Sequence, residues 1–479
     1  MRLYNTLTRR KDELQPVEPG LVKIYSCGPT VYMSAHIGNF RSFLFADFLR
    51  RGLEFCGHKV RQVMNITDVG HLTDDEDAGE DKLEKGARAE GTTPEEVARH
   101  YEAAFWRDAD RLNLLRPDVT CRASAHIPEM IKLVRRIEAN GFAYRTGVGL
   151  IFDTGRYADY AGLARLNLAE QQAGARVKVD PDRRNPSDFA LWITNQPRHL
   201  MQWDSPWGRG FPGWHLECSA MSLKYLGERF DIHTGGIDHI PVHHTNERAQ
   251  NFAATGGEAV SIWLHGAFLT IGDARMGKSE GNLITLTQLE QRGFRPEDFR
   301  YLCLTALYRT PLNFTAESMT SARNSLNGLI EFGRNAQGWP TGRGEWLDSL
   351  RQEFRAAIED DLNLPQALAV TWTMVREGNK RQDRASWEAL LDSDRVFGLG
   401  LTKLAGGMGI VHMGMTASGS GGMAPAGTPD DVFDLARQRQ TAREHKNWAE
   451  ADRLREEIAA HGYLVEDTPG GNWRLKPLA

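Results

Sequence analysis

Between residues 21 and 67 the chain alternates strand, helix and strand, and this pattern narrows its fold more than any other feature. Residues 21–25 are a short apolar run that reads as a buried strand, followed by the turn dipeptide Gly28-Pro29. From Asn39 onward, Phe40, Phe43, Leu44 and Phe48 recur three and four residues apart, as on one face of an amphipathic helix. Residues 59–66 supply a second strand. Two strands joined through a helix run parallel, so an α/β parallel sheet is expected. The first strand-to-helix junction, residues 26–39, holds Cys27, a candidate metal thiolate, and the turn His36-Ile37-Gly38-Asn39. At such a junction backbone N–H groups and the positive end of the helix dipole face bound phosphate. A phosphate can approach over Gly38 while His36 donates a hydrogen bond; a single histidine beside a turn can equally be structural.

A length of 479 residues exceeds what one core serves, so two to four domains are expected. The five cysteines (Cys27, Cys56, Cys121, Cys218, Cys303) are scattered and odd in number, which suits reduced thiols or metal ligands better than disulfides. No apolar run reaches the length of a membrane span and the first residues lack the apolar core of a secretory signal, so the cytoplasm is expected, with no membrane partner. A net charge of -5 gives no general attraction to polyanions, and any nucleic-acid contact must come from local basic patches.

The acidic stretch 74–81 reads as a solvated loop or, alternatively, as a loop that touches substrate. Helical periodicity over 93–112 and 127–140, then a hairpin over 144–153, suggests a domain inserted between two halves of the sheet. The sheet pattern resumes with the apolar run 189–193, followed by strands at 230–233 and 261–265. Amphipathic helices at 317–335, 345–360 and 365–377 predict a bundle. Residues 405–429, rich in Gly, Met, Ser and Ala and without periodicity, read as a flexible linker, and helices at 431–445 and 448–460 with two strand-like runs form a final unit. The expected division is therefore 1–315, with an insertion around 90–185, then 316–404, 405–429 and 430–479.

His243 and Glu247 are four residues apart and share one face if helical. With Cys218 and Cys27 they make a Cys₂HisGlu donor set suited to zinc. The same residues also read as a buried thiol, a helix-start histidine and a surface carboxylate that hold no metal. Residues 272–282 form a polar, Gly-rich loop with Arg275 and Lys278, either an anion clamp or a solvated basic turn.

Together these segments resemble the class I aminoacyl-tRNA synthetases. His36-Ile37-Gly38-Asn39 is similar to their "HIGH" element and Arg275-Met276-Gly277-Lys278-Ser279 to their "KMSKS" loop. The runs 25–32, 65–69, 205–208 and 212–219, with Asp231-Ile232-His233 and His243-His244-Thr245-Asn246-Glu247, resemble cysteinyl-tRNA synthetases specifically, and the likeness extends to Trp473-Arg474. Four positions in three places depart from that pattern: Asn39 for the second histidine, Arg275 and Gly277 for the first lysine and serine of the loop, and Thr245 for an acidic residue between ligands.

The resemblance implies a Rossmann-like catalytic domain with an insertion, a helical bundle and a small α+β anticodon-binding unit. It implies an ATP-dependent ligase joining L-cysteine to tRNA-Cys, working as a monomer. Cys27, Cys218, His243 and Glu247 would hold one Zn²⁺, and Mg²⁺ would accompany ATP. His36 and Lys278 would be catalytic; His36, Gly38, Asn39, Gly235, Gly236, Asp238 and Lys278 would bind ATP; Thr67, Trp214 and His233 would line the cysteine pocket. Arg437, Arg439, Arg443, Trp448, Asp452 and Asp467 would contact tRNA by phosphate neutralisation and base stacking. Two rivals are a cysteine:amino-sugar ligase of mycothiol synthesis, which resembles the same core but ends without an anticodon domain, and a non-catalytic zinc- and RNA-binding module.

Overall fold

Five parallel strands make the central sheet of the computed structural model: β1 (Leu21–Ser26), β2 (Lys59–Ile66), β3 (Val119–Arg122), β4 (Phe230–Gly236) and β5 (Val260–Gly266), in the order β5-β4-β1-β2-β3. The described residues are 1–69, 82–166, 182–196, 199–272, 274–276, 281–406, 422–423, 430–444, 447–468 and 472–477. The acidic stretch 74–81, Lys278 with its neighbours 277–280, and most of the expected linker lie outside them.

Alternation along each strand divides the sheet between two cores. Val22, Ile24, Ile232 and Leu264 pack under helix α1 (Ile37–Phe55), in one core with the helices Ala316–Ala336, Asp348–Glu359, Leu364–Arg381 and Ala385–Phe397. Tyr25, Val63 and Trp263 face the other way, against Leu216 and Met221 of helix α2 (Trp214–Leu226) and the insertion. Strand order reverses at β1, whose neighbours are β2 and β4, so the carboxyl ends of β1 and β4 border the crevice in which such sheets bind ligands.

The strand Phe189–Thr194 does not join this sheet. It pairs antiparallel with Gly149–Phe152 and Gly210–Pro212 in the insertion. Its apolar run reports burial on both faces, with Phe189 stacked on Phe152 at 4.9 Å, and burial does not specify which sheet provides it. The helix Ala385–Phe397 was not evident from periodicity because Ser386 and Ser393 occupy its buried face. No helix among the described residues is long and apolar enough to cross a membrane.

Gly409–Ala479 is a separate unit. Helices Asp430–Glu444 and Trp448–Ala460 and the antiparallel pair Tyr463–Thr468/Asn472–Pro477 enclose Val432, Ala436, Ile458, Val465 and Leu475. Gly422–Met423, inside the expected linker, instead forms a short strand beside Trp473-Arg474.

Candidate active site and metal centre

Cys27 leaves β1 at the switch point, its N–H donating to Thr234 O of β4 at 3.1 Å. The next residue must be glycine: a Cβ on Gly28 would lie 1.6 Å from Asn65 O of β2. Gly28 N–H instead donates to Asn65 Oδ1 at 2.8 Å, and Thr67 N–H to Pro29 O at 3.0 Å. Across the crevice, α2 brings Cys218 and a π-helical turn, Ile240–His244, brings His243; Glu247 follows on helix α3 (Thr245–Thr255). Such turns are rare and frequently mark functional sites. Thr245 is spent there, its hydroxyl donating to Ile240 O at 2.7 Å.

The sequence-based donor set converges: one ligand atom from each of Cys27, Cys218, His243 and Glu247 lies within 4.8 Å of the others. A second set, Cys27, His233, His244 and Glu247, satisfies the same distance. Glu247 is fully buried, with Oε2 2.9 Å from His233 Nε2 and Oε1 3.0 Å from His243 Nε2. Oε1 nevertheless receives no well-directed hydrogen bond. A buried carboxylate oxygen facing two sulfurs and an imidazole fits a divalent cation of zinc's preferences.

The charges agree. Burial opposes ionisation of Glu247, yet His233 and His243 bring its pKa down to about 2. Burial depresses His243, but Glu247 and then Cys27 outweigh it and raise it to about 10. Burial also opposes the Cys27 thiolate; a hydrogen bond from Cys218 and the His244 and His239 rings overcome this and hold Cys27 well below a normal thiol. Cys218 is pushed well above one by burial and by Cys27 and Glu247.

Several histidines here were not singled out from sequence: His215 Nδ1 lies 3.0 Å from His243 Nδ1, and His244 runs from Cys27 Sγ (3.3 Å) to His265 (2.8 Å), which ends on Thr6 Oγ1 (2.7 Å). The signal available was the density of His239, His243 and His244 within six residues. Around the set, the Trp214 ring lies 4.3 Å from His243, and His233 stacks on Trp263 at 4.9 Å. Thr67 is buried with Oγ1 accepting from Asn65 Nδ2 at 3.0 Å. The space a Cβ would need at Gly235 is filled by the His244 and His239 rings, and at Gly236 by the Asp238 carboxylate.

His36 caps α1. Its ring accepts from Asn39 N–H, while Asn39 Oδ1 accepts from His36 N–H at 3.1 Å, so Asn39 completes a capping box. Ile37 N–H donates to Ile284 O at 2.8 Å, and the space beside Gly38 holds Met276 Sδ. Both described flanks of the Lys278 segment therefore touch this turn.

In the C-terminal unit, Arg439 is 3% exposed and its guanidinium grips the Asp467 carboxylate at 2.9 and 3.1 Å. Arg439, expected as an RNA contact, is engaged within the unit in this ion pair. Arg443 also reaches Asp467, at 3.3 Å, and lies over the half-exposed Trp448 ring at 5.5 Å; Asp452 is exposed on the same helix as Trp448. The Arg437 side chain lies outside the described residues.

Residues 13–324 match the family described as "tRNA synthetases class I (C) catalytic domain", 353–410 match "DALR domain", and 426–474 match "Cysteinyl-tRNA ligase anticodon binding domain". The chain is 47% identical over 475 residues to cysteine–tRNA ligase 1 of Burkholderia lata, covering 98% of this chain and 96% of that protein. It is 41% identical over 483 residues to cysteine–tRNA ligase of Thermus thermophilus, covering 99% of both. Methionyl-tRNA synthetase of Mycobacterium tuberculosis, solved with methionyl-adenylate, shares the fold at a TM-score of 0.58 and 16% identity, over 80% of this chain and 91% of that one. With its α/β parallel-sheet core, helical region and C-terminal unit all accounted for, the chain belongs to the cysteinyl-tRNA ligase family of class I aminoacyl-tRNA synthetases.

Proposed function

We propose that the chain activates L-cysteine with ATP and transfers the cysteinyl group to the 3′-terminal adenosine of tRNA-Cys, as a cytoplasmic monomer. The observation that carries this reading is the convergence of Cys27, Cys218, His243 and Glu247 at the sheet's switch point, beside the His36 turn. These four residues would hold one zinc ion, which when bound supplies a soft cation that a cysteine thiolate satisfies and a serine hydroxyl does not. Thr67, Trp214 and His233 line the amino-acid side of the crevice.

His36, Gly38 and Asn39, at the positive end of the α1 dipole, receive the phosphates of ATP and its Mg²⁺. Asn39 spends its carbonyl oxygen on the cap, which leaves the donor half of its amide for phosphate. Gly235, Gly236 and Asp238, at the end of β4, border the adenosine side. The cysteine carboxylate attacks the α-phosphorus as the bond to pyrophosphate breaks, and Lys278 stabilises the developing charge. A ribose hydroxyl of the terminal adenosine then attacks the cysteinyl carbonyl and AMP leaves. Arg437, Arg443, Trp448, Asp452 and Asp467 offer cations, a stacking surface and acceptors to the anticodon region.

Cysteine-dependent ATP–pyrophosphate exchange, run beside tRNA charging, tests the reading. Purified protein is expected to carry one zinc, and Cys218→Ala to lose both the metal and the preference for cysteine over serine. Active protein without zinc refutes the metal assignment, and consumption of an amino sugar without tRNA charging refutes the tRNA assignment.

A further inference from the structure

Two consecutive residues of the helical region hold left-handed backbone: Asp361 at φ 65° and Leu362 at φ 50°. Neither is glycine, so both resist this conformation. They lie in the connection between Asp348–Glu359 and Leu364–Arg381, and both are buried. What holds the bend is the Asp361 carboxylate. Its Oδ1 accepts Tyr4 N–H at 2.8 Å and Tyr308 O–H at 2.6 Å, its Oδ2 accepts Arg309 Nε–H at 2.8 Å, and Asp361 N–H donates to Arg2 O at 2.8 Å.

The segment so gripped, residues 307–314, touches both halves of the nucleotide site's framework. On one side it meets α1: Tyr308 stacks on Phe45 at 4.4 Å, and Arg41, one turn beyond the His36 cap, donates to Thr310 O at 2.6 Å and Ala267 O at 3.0 Å. On the other side Leu312–Asn313 pairs with Leu269–Ile271, which pairs with Ala274–Arg275; Met276 N–H then donates to Leu269 O at 3.2 Å, two residues before Lys278. A displaced strap would shift α1 and this hairpin relative to one another.

We infer that Asp361 is a positioning residue for adenylation: by seating residues 307–314 it fixes α1, with His36 at its start, against the hairpin that leads into Lys278. The inference rests on the function proposed above. It extends the reaction's framework into the helical region, through a residue that touches no substrate.

The test compares full-length wild type, Asp361→Asn and Asp361→Gly in cysteine-dependent ATP–pyrophosphate exchange, with zinc content and thermal melting measured on the same samples. Asparagine tolerates the left-handed region and glycine relieves it, so both variants separate the carboxylate from backbone strain. Both are expected to lose kcat about tenfold or more, the effect of ~1.4 kcal/mol on the barrier, with KM for cysteine and zinc content little changed. A merely structural role would lower the melting temperature and leave kcat intact. Tyr308→Phe removes one donor without opening a hole and carries the test if the Asp361 variants do not fold; a smaller, kcat-selective loss is expected. Folded Asp361→Asn, or Tyr308→Phe in its place, exchanging at the wild-type kcat overturns the positioning role alone. Wild type that exchanges no pyrophosphate with cysteine overturns the parent reading and this role with it.

Discussion

Gly28→Ala would show how tightly the turn after β1 fixes the Cys27 thiol. The new Cβ would stand 1.6 Å from Asn65 O, 2.7 Å from Asn65 C and 3.0 Å from Met64 Cγ. The two nearest atoms are backbone of β2, so no rotamer change relieves the clash. Restoring the shortest contact to an ordinary 3.4 Å needs about 1.8 Å of movement between turn and strand. That movement strains the Gly28–Asn65 hydrogen bond and the Thr67–Pro29 and Val31–Thr67 backbone pairs. Overpacking costs ~1–3 kcal/mol and each lost hydrogen bond about 1 kcal/mol more, so a destabilisation of roughly 2–5 kcal/mol is expected. The functional effect should be larger, because Cys27 is the adjoining residue and a misplacement of ~1 Å in a reacting constellation costs about 10²-fold. Metal analysis, denaturant unfolding and cysteine-dependent pyrophosphate exchange on one preparation measure all three consequences. Gly257→Ala is the control, since nothing lies within 4 Å of its Cβ position and its φ is not left-handed. Gly28→Ala with full zinc content and wild-type kcat/KM for cysteine would refute the argument.

Two further outcomes are expected. Arg300 is fully buried and pairs with Asp47, while donating to Phe397 O at 2.6 Å and Leu112 O at 2.8 Å; Asp47→Ala strands its charge and should cost ~3–5 kcal/mol in denaturant unfolding, whereas the double change Asp47→Leu/Arg300→Met should recover much of it. Asp467 has its pKa lowered, chiefly by the Arg439 hydrogen bond, so its contribution is present above the unfolded carboxylate value of 3.8 and is lost as pH falls through the lower folded value. Acid melting of the C-terminal unit should therefore lose its dependence on pH below about 4 in Asp467→Asn, apart from that of the other carboxylates; an unchanged acid limb would show that the pair contributes nothing.

How far the fold could be read depended on whether a signal was local. The β1–α1–β2 unit was legible because its apolar spacing changes from strand-like to helical within fifty residues, and the terminal hairpin of strands because turn residues bound it. Phe189–Thr194 was misplaced since an apolar run records that it is covered and not by what. The four-residue spacing of His243 and Glu247 was legible, but the π-helical turn that carries His243 leaves no mark in a periodicity. Arg439 looked like a free cation because its partner, Asp467, lies 28 residues away and pairs with it only once the helix packs on the strands. Asp361 was invisible for a related reason: an aspartate at the end of a helical pattern gives no sign that three donors from two distant segments will converge on it.

The two donor sets that satisfy the same distance at the metal centre can be ordered by what each would leave behind. Choosing Cys27, His233, His244 and Glu247 would enlist the ring whose Nε2 already holds Glu247 Oε2. It would also leave the buried Cys218 thiol facing Cys27 without a ligand role. With Cys27, Cys218, His243 and Glu247 as ligands, every remaining group keeps its place: His233 holds Oε2 while Oε1 faces the metal, and His215 stays 3.0 Å from the second ring nitrogen of His243. His244 also keeps its contact with His265, which reaches Thr6 near the start of the chain. A ligand set that preserves its outer hydrogen bonds retains both orientation and basicity, whereas one assembled by breaking them must first meet the cost of unsatisfied buried polar groups. The geometry therefore favours the set that includes both cysteines, the one whose softness suits a thiolate substrate.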